Sequence, residues 1–354
     1  MAKLARICGQ GRFDCRSGCL RPLAAEKTPN LAFALQHTTK PAKRHRCKFM
    51  KFQLDLLASL TTLATFITLA ALTTAAAHAK LVQTVMNVPV KVSNVYGKVI
   101  ERDAVVTFFY DDATSQPRPI VLINHGRAAT ADKRAAFGRS TAITNASWFA
   151  AMGFAVVVPT RLGYGVTGGD DVEDTGDCKR KNYPPGYVAA AVQTMQILAH
   201  VRQRNDVVPD KTLVLGQSFG GATAITVAAQ SPPGVLAAIN FAGGGGGNPE
   251  TQPQEPCATQ MLKAMFATYG ETSRIPTLWI YAENDQWMGP KYPREWFEAF
   301  KAKGGVGEFV LYPPNGKDGH GHFSQDPAVW RPRALDFLRA NGYPDLKNIE
   351  EEQK

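Results

Sequence analysis

The stretch from Thr212 to Thr226 constrains this chain more than any other: Thr-Leu-Val-Leu-Gly-Gln-Ser-Phe-Gly-Gly-Ala-Thr-Ala-Ile-Thr. A short apolar run meets Gly216-Gln217-Ser218-Phe219-Gly220, and small residues able to start a helix follow at once. The pattern predicts a buried strand that turns abruptly into a helix, with Ser218 held at the tip of the turn. Glycines two residues either side of the serine suit such a turn, because it crowds the backbone until side chains there would collide. A serine so placed is a candidate nucleophile. The competing account is a glycine-rich turn with an ordinary serine, and the strand-then-helix setting favours the first.

Upstream, Met50 and Lys51 are followed by an apolar run rich in Ala, Leu and Thr from Leu54 to Ala76, ending Ala77-His78-Ala79 before Lys80. A basic start, an apolar stretch and an A-x-A end are the three parts of a secretory signal peptide. A membrane anchor is the alternative, but the threonines and the small-residue ending fit cleavage better. Residues 50–79 are therefore expected to be a signal peptide. Residues 1–49 read as a mis-assigned start or a disordered extension, with translation expected to begin at Met50.

This division changes the meaning of the net charge of +10. Residues 1–49 carry 11 Lys and Arg against 2 Asp and Glu, or +9, and residues 50–79 carry one of each sign, leaving 10 − 9 − 0 = +1 for the rest. A basic partner for nucleic acid or an anionic membrane is thereby excluded. The cysteines divide likewise. Cys8, Cys15, Cys19 and Cys47 lie in the extension at spacings that match no standard zinc pattern. Cys178 and Cys257 alone belong to the mature part, where an exported protein is expected to join them in a disulfide; a pair of free buried thiols is the other possibility.

From Lys80 the chain reads as one domain to about residue 345, with residues 346–354 a charged tail. Alternating Val88, Val90 and Val92, then Val105 to Tyr110, predict an antiparallel strand pair. Pro119 to Asn124 has the apolar character of a strand buried on both faces. A helix over about Thr141–Met152 and a strand over Phe154–Val158 complete a βαβ unit, implying parallel strands. Arg161 to Pro185 is a long irregular stretch with five acidic residues and Cys178, and a loop of that length inside a domain is usually functional. Helix Tyr187–Arg202, the serine strand and its helix, strand Val235–Ala242, a helix ending near Tyr269, strand Pro276–Tyr281, helix Pro293–Lys303, strand Glu308–Tyr312 and helix Ala328–Ala340 follow. The run Gly243 to Gly247 either clears room for a substrate or is a plain flexible loop.

A serine hydroxyl is a poor nucleophile at neutral pH, so it needs a base, and the base needs an acid to fix its tautomer. In a parallel sheet, groups that meet come from the carboxyl ends of strands. Asp285 follows the strand ending at Tyr281, with Glu283 a poorer rival; His320 and His322 both follow the strand ending at Tyr312. The order serine, acid, histidine results. His125-Gly126-Arg127 ends an earlier strand, and the backbone N–H groups of Arg127 and Phe219 are placed to form an oxyanion hole.

Through His125-Gly126, Gly216 to Gly220, Tyr281-Ala282-Glu283-Asn284-Asp285 and Asp318-Gly319-His320, the chain from about Val85 to Gly342 resembles the α/β-hydrolase superfamily, and within it the dienelactone-hydrolase-like and secreted esterase branch. The resemblance implies an eight-stranded, mostly parallel sheet flanked by helices, a Ser-Asp-His triad and no cofactor. Two departures stand out. Dienelactone hydrolases proper have a cysteine where Ser218 stands, which puts dienelactone itself in doubt as substrate, and the chain lacks the His-Gly-Gly-Gly run of the hormone-sensitive-lipase branch. Asp318-Gly319-His320 is the closer match to the branch, while Gly321-His322-Phe323 resembles the histidine context of other α/β-hydrolases, so His322 stays as a rival base. Tyr164, Trp287 and Met288 are candidates for the pocket wall or for ordinary packing. The expectation is an exported, periplasmic or extracellular serine hydrolase acting on small-molecule carboxylic esters through Ser218, His320 and Asp285. It would have no nucleic-acid partner and no membrane span after cleavage. A peptidase or amidase of the same fold, and a noncatalytic binding protein on this scaffold, are the alternatives.

Overall fold

A computed structural model of the chain describes residues 80–346, all within one contact unit, Ala75–Lys354. The expected extension, the signal peptide, residues 347–354 of the tail and Cys8, Cys15, Cys19 and Cys47 lie outside the described residues.

Strands β1 (Leu81–Ser93) and β2 (Val99–Asp111) form an antiparallel ribbon in register from Leu81 opposite Asp111 to Ser93 opposite Val99. Then come β3 (Arg118–Asn124), the one-turn helix α1 (Ala131–Ala135), α2 (Ile143–Ala151) and β4 (Ala155–Thr160). After the long loop, α3 (Tyr183–Val201), β5 (Val207–Gln217), α4 (Phe219–Ala229) and β6 (Val235–Phe241) follow. The chain closes with α5 (Thr259–Thr272), β7 (Thr277–Ala282), α6 (Lys291–Ala302), β8 (Gly307–Tyr312), a 3₁₀ turn at Gly319–Gly321, α7 (His322–Gln325) and α8 (Pro327–Ala340). The eight strands make one sheet in the order β1-β2-β4-β3-β5-β6-β7-β8, antiparallel through β1, β2 and β4 and parallel from there on. This is the α/β-hydrolase fold.

Strand β3 shows why the central sequences are almost wholly apolar. Val121 and Ile123 join the core under α2 and α8, whereas Ile120 and Leu122 join the core under α3 and α4. Side chains alternate across a strand, so a sheet covered on both faces needs apolar residues at every position. On the first face Trp148 of α2 meets Trp330 of α8 with ring centroids 5.5 Å apart. On the second, α5 and α6 close over β7 through Phe266, Trp279 and Trp296.

Helix α3 starts four residues before its expected first residue, Tyr187. Pro184 and Pro185 occupy its first turn, where a missing N–H costs nothing because the first amides of a helix have no intrahelical acceptor. The parallel register then decides the site. Asn124 lies opposite Gly216, and Ala282 opposite Tyr312. The turns after β3, β5, β7 and β8 therefore emerge at one edge of the sheet, carrying His125, Ser218, Asp285 and His320.

Candidate active site

Between β5 and α4, Ser218 adopts φ 57° and ψ −123°, a conformation that costs a non-glycine residue on the order of 1–3 kcal/mol. The strain is held from both sides. The Ser218 N–H donates to Phe241 O at 2.8 Å, and its carbonyl already accepts from Gly221 and Ala222 in the first turn of α4. The flanking glycines are fixed by close approach to the end of β3. A side-chain carbon on Gly216 would lie 2.6 Å from Asn124 O, and one on Gly220 would lie 2.5 Å from His125 O. Both are well inside contact distance, so the elbow admits only glycine at these places.

Asp285 is fully buried beyond β7. One of its oxygens, Oδ1, accepts from the backbone N–H groups of Trp287 and Met288 at 2.8 and 2.9 Å. Nδ1 of His320 lies 3.1 Å from each carboxylate oxygen, so an Nδ1–H donated there leaves Nε2 free as the basic nitrogen. Trp287 stacks on the imidazole with centroids 5.3 Å apart. Two polar side chains stitch the loops after β7 and β8 together. Asp318 accepts from both His320 N and Gln286 N at 2.9 Å, and Asn284 accepts from Asn315 N at 2.8 Å. Gln217, beside the serine, donates through Nε2 to His320 O at 2.6 Å. Among the described residues the Ser218 hydroxyl makes no hydrogen bond in this resting geometry; such contacts commonly tighten only when substrate is bound.

The rival residues are placed elsewhere. His322 is buried against Tyr312, its Nδ1 facing Asn315 Nδ2 at 3.0 Å, and burial lowers its pKa. Glu283 is exposed at the end of β7.

The His125-Gly126-Arg127 turn backs directly onto the elbow: a side-chain carbon on Gly126 would lie 3.3 Å from Ser218 Cβ. His125 Nδ1–H donates to Gly126 O at 2.7 Å, and Nε2 accepts from Arg161 N at 3.2 Å. Its ring edge reaches a cavity, yet both nitrogens have backbone partners. Burial first, and then the neighbouring Arg161 cation, hold its pKa well below 6.5. The Arg127 amide has no acceptor among the described residues, and the Phe219 amide opens α4, where the helix dipole favours negative charge. Both amides are thus available to a carbonyl oxygen that gains charge.

Two carboxylates from the long loop support this turn through ion pairs. Arg127 forms a two-pronged pair with Asp171, at 2.9 and 2.6 Å, and Arg134 of α1 joins the same carboxylate at 3.0 Å. Arg161 pairs with Glu173, both side chains having no solvent exposure, and donates through Nη1 to His125 O at 2.8 Å. Tyr164 is buried and donates its hydroxyl to Glu173 at 2.9 Å, so it braces this network rather than lining a pocket. In the sequence the acidic character of the loop is visible. The partners of its carboxylates, nine to forty-four residues away, carry no spacing signal.

A family model described as the dienelactone hydrolase family matches residues 133–335, more than half of the chain. The chain belongs to the dienelactone hydrolase family. Similar solved structures include an acylaminoacyl peptidase from Pyrococcus horikoshii, at 13% identity and TM-score 0.51, covering 77% of this chain and 44% of that one. An acetyl xylan esterase from a Paenibacillus species matches at 18% identity and TM-score 0.49, covering 75% and 89%. A dienelactone-hydrolase-like phosphotriesterase from metagenomic libraries matches at 17% identity and TM-score 0.46, covering 73% and 99%. No curated protein sequence matches the chain.

This dienelactone hydrolase family member is a hydrolase, and its candidate site opens into two cavities that meet at Ser218, Arg127 and Trp287. The larger, about 460 Å³, runs past His320 between Phe137, Ile143 and Phe323. The smaller, about 260 Å³, runs past Phe219 and Met288 toward Lys181, Thr175 and the glycine run. Gly244 to Gly247 line this cavity, which fits the reading that the run clears room, and they are closely approached by their neighbours. A side-chain carbon on Gly246 would lie 2.8 Å from Cys257 O, and one on Gly247 would lie 2.8 Å from the Trp287 carbonyl carbon. Cys178, on the wall of the smaller cavity, is bonded to Cys257 with Cα atoms 5.6 Å apart. Among the described residues no group of three or more His, Cys, Asp and Glu could hold a metal ion, and no helix is long and apolar enough to cross a membrane.

Proposed function

We propose that this protein is an exported serine hydrolase that cleaves carboxylic esters through an acyl-enzyme. The observation that carries the reading is the buried, doubly amide-bonded Asp285 carboxylate against His320 Nδ1, at the edge of the cavity into which the strained Ser218 turn projects. In this reading Ser218 Oγ attacks the ester carbonyl while His320 Nε2 takes its proton. Asp285 holds the imidazole in the required tautomer and stabilises the imidazolium. The amides of Arg127 and Phe219 receive the oxyanion, where one such donor is typically worth on the order of 10² to 10³ in rate. The C–O bond to the alcohol then breaks and His320 returns the proton to it; water, activated by the same histidine, releases the acid.

Export is supported by the charged, apolar and A-x-A pattern of residues 50–79 and by a disulfide, a bond that persists in oxidising compartments. Sequencing the secreted protein from its N-terminus should give Lys80; a start within residues 1–79 would contradict cleavage there. For the chemistry, the mature protein and Ser218→Ala are treated with a fluorophosphonate probe. Labelling of the wild type alone is expected, and labelling of neither would remove the mechanism. Turnover of short acyl esters well above that of matched peptide amides is expected, and the reverse order would make the protein a peptidase.

A further inference from the structure

The two cavities share Ser218 but differ in the group that can act on their occupant. In ester cleavage, the bond that breaks joins the carbonyl carbon to the alcohol oxygen. The electron pair goes to that oxygen, and the proton taken from Ser218 Oγ must reach it through His320 Nε2. The alcohol oxygen therefore leaves on the His320 side. His320 lines the larger cavity, with Phe137, Ile143 and Phe323 beyond it. The acyl group stays on Ser218 and is left the other direction, past Phe219 into the smaller cavity.

The walls differ in chemistry as well as size. The larger cavity presents aromatic and aliphatic carbon beyond the histidine. The smaller one, about 260 Å³, is lined by Thr175, Asp177 and Lys181. The Lys181 ammonium donates to Gly176 O at 2.6 Å and Thr175 Oγ1 at 3.3 Å; Asp174 and Asp177 act on it at longer range, and among the described residues no carboxylate forms a salt bridge with it. Burial, and then the Arg127 cation, lower its pKa, as expected for a cation already short of solvent. An alkyl chain long enough to reach it would strip the remaining water from the ammonium and supply no hydrogen bond in return.

From this we infer that the site takes esters of a short acyl group, held in the smaller cavity that Lys181 lines, with an alcohol carrying an apolar body such as an aromatic ring, held in the larger cavity that His320 and Ile143 line. The inference rests on the serine-esterase reading and assigns its substrate class. Lys181 and Ile143 are the specificity-determining residues on the two sides.

The test crosses variants with substrates. 4-Nitrophenyl acetate, butyrate and octanoate vary the acyl group; phenyl acetate and ethyl acetate vary the alcohol. Lys181→Met, which keeps length and removes the ammonium, should raise octanoate relative to acetate by tenfold or more in kcat/KM and leave the phenyl-to-ethyl ratio within twofold. Ile143→Asp, whose carboxylate suits the first turn of α2, should lower the phenyl-to-ethyl ratio by tenfold or more. Exchanged effects, or ratios unchanged in both variants, would overturn the assignment. Failure of the underlying reading has a different signature: no ester is turned over and no fluorophosphonate is attached, in which case the assignment falls with it.

Discussion

Glu173→Gln is the most informative single substitution away from the reacting atoms. It removes the charge that compensates Arg161 but preserves side-chain size. Arg161 and Glu173 are both without solvent exposure. The carboxylate accepts Arg161 Nη2 at 3.2 Å as well as Nε, and the Tyr164 hydroxyl at 2.9 Å. Removing one partner of a buried pair strands the other charge and costs about 3–5 kcal/mol. For a domain of this size each kcal/mol moves the melting temperature by roughly 2–4 °C, so a fall of roughly 6–20 °C is expected. Equilibrium denaturation and thermal unfolding at neutral pH measure it. Because Arg161 also donates to His125 O, one residue from the Gly126 turn, turnover should fall too. The double replacement Arg161→Met with Glu173→Leu should recover most of the stability, since an apolar pair of similar volume commonly substitutes for a buried ion pair. A single variant within about 1 kcal/mol of wild type, or a double variant no better than the single, would refute the charge argument.

Other consequences are as specific. His320→Ala should lower kcat/KM by about 10³-fold or more, whereas His322→Asn should keep turnover within a few-fold, since Asn315 and not Asp285 faces His322; steady-state kinetics of the two variants decide. Stability should fall as pH drops from about 6.5. His125 holds its pKa below that value, so in this window the unfolded chain binds the proton and the folded one does not. Each such group costs up to about 1.4 kcal/mol per pH unit until its own folded pKa is reached. His322, also lowered, adds to the same slope, and His125→Asn should remove only part of it in denaturant titrations at pH 5–7.5. Reducing the Cys178–Cys257 bond, which closes a separation of 79 residues, should cost up to about 4–5 kcal/mol in the chain-entropy model. It should also alter acyl preference, because Cys178 lines the smaller cavity. Unchanged melting and turnover in reductant would count against both effects.

Much of the fold could be read from the chain because the sheet is covered on both faces: runs such as Ile120 to Ile123 have no polar position to blur them. The order of Ser218, Asp285 and His320 was legible for a topological reason, since residues just beyond parallel strands share one edge. What escaped the sequence was contact between loops. That Asp171 reaches Arg127, or that Gln217 reaches the His320 carbonyl 103 residues later, depends on the path of irregular backbone, which has no periodicity. The start of α3 was missed because two prolines look like a boundary, although they are tolerated in a first turn. The glycine run Gly243 to Gly247 was ambiguous because glycine serves a cleared cavity wall and a slack loop alike, and only its place on the smaller cavity, with Cys257, Tyr183 and Trp287 close by, distinguishes them.

The central claim is that the ester's acyl group passes through Ser218 Oγ. Mixing the protein with a short-chain ester, quenching in acid within the burst phase and determining intact and peptide masses tests it directly. The account predicts an adduct equal to the acyl group on the peptide containing Ser218, absent from Ser218→Ala. Steady turnover with no adduct, or an adduct on another residue that survives Ser218→Ala, would contradict it.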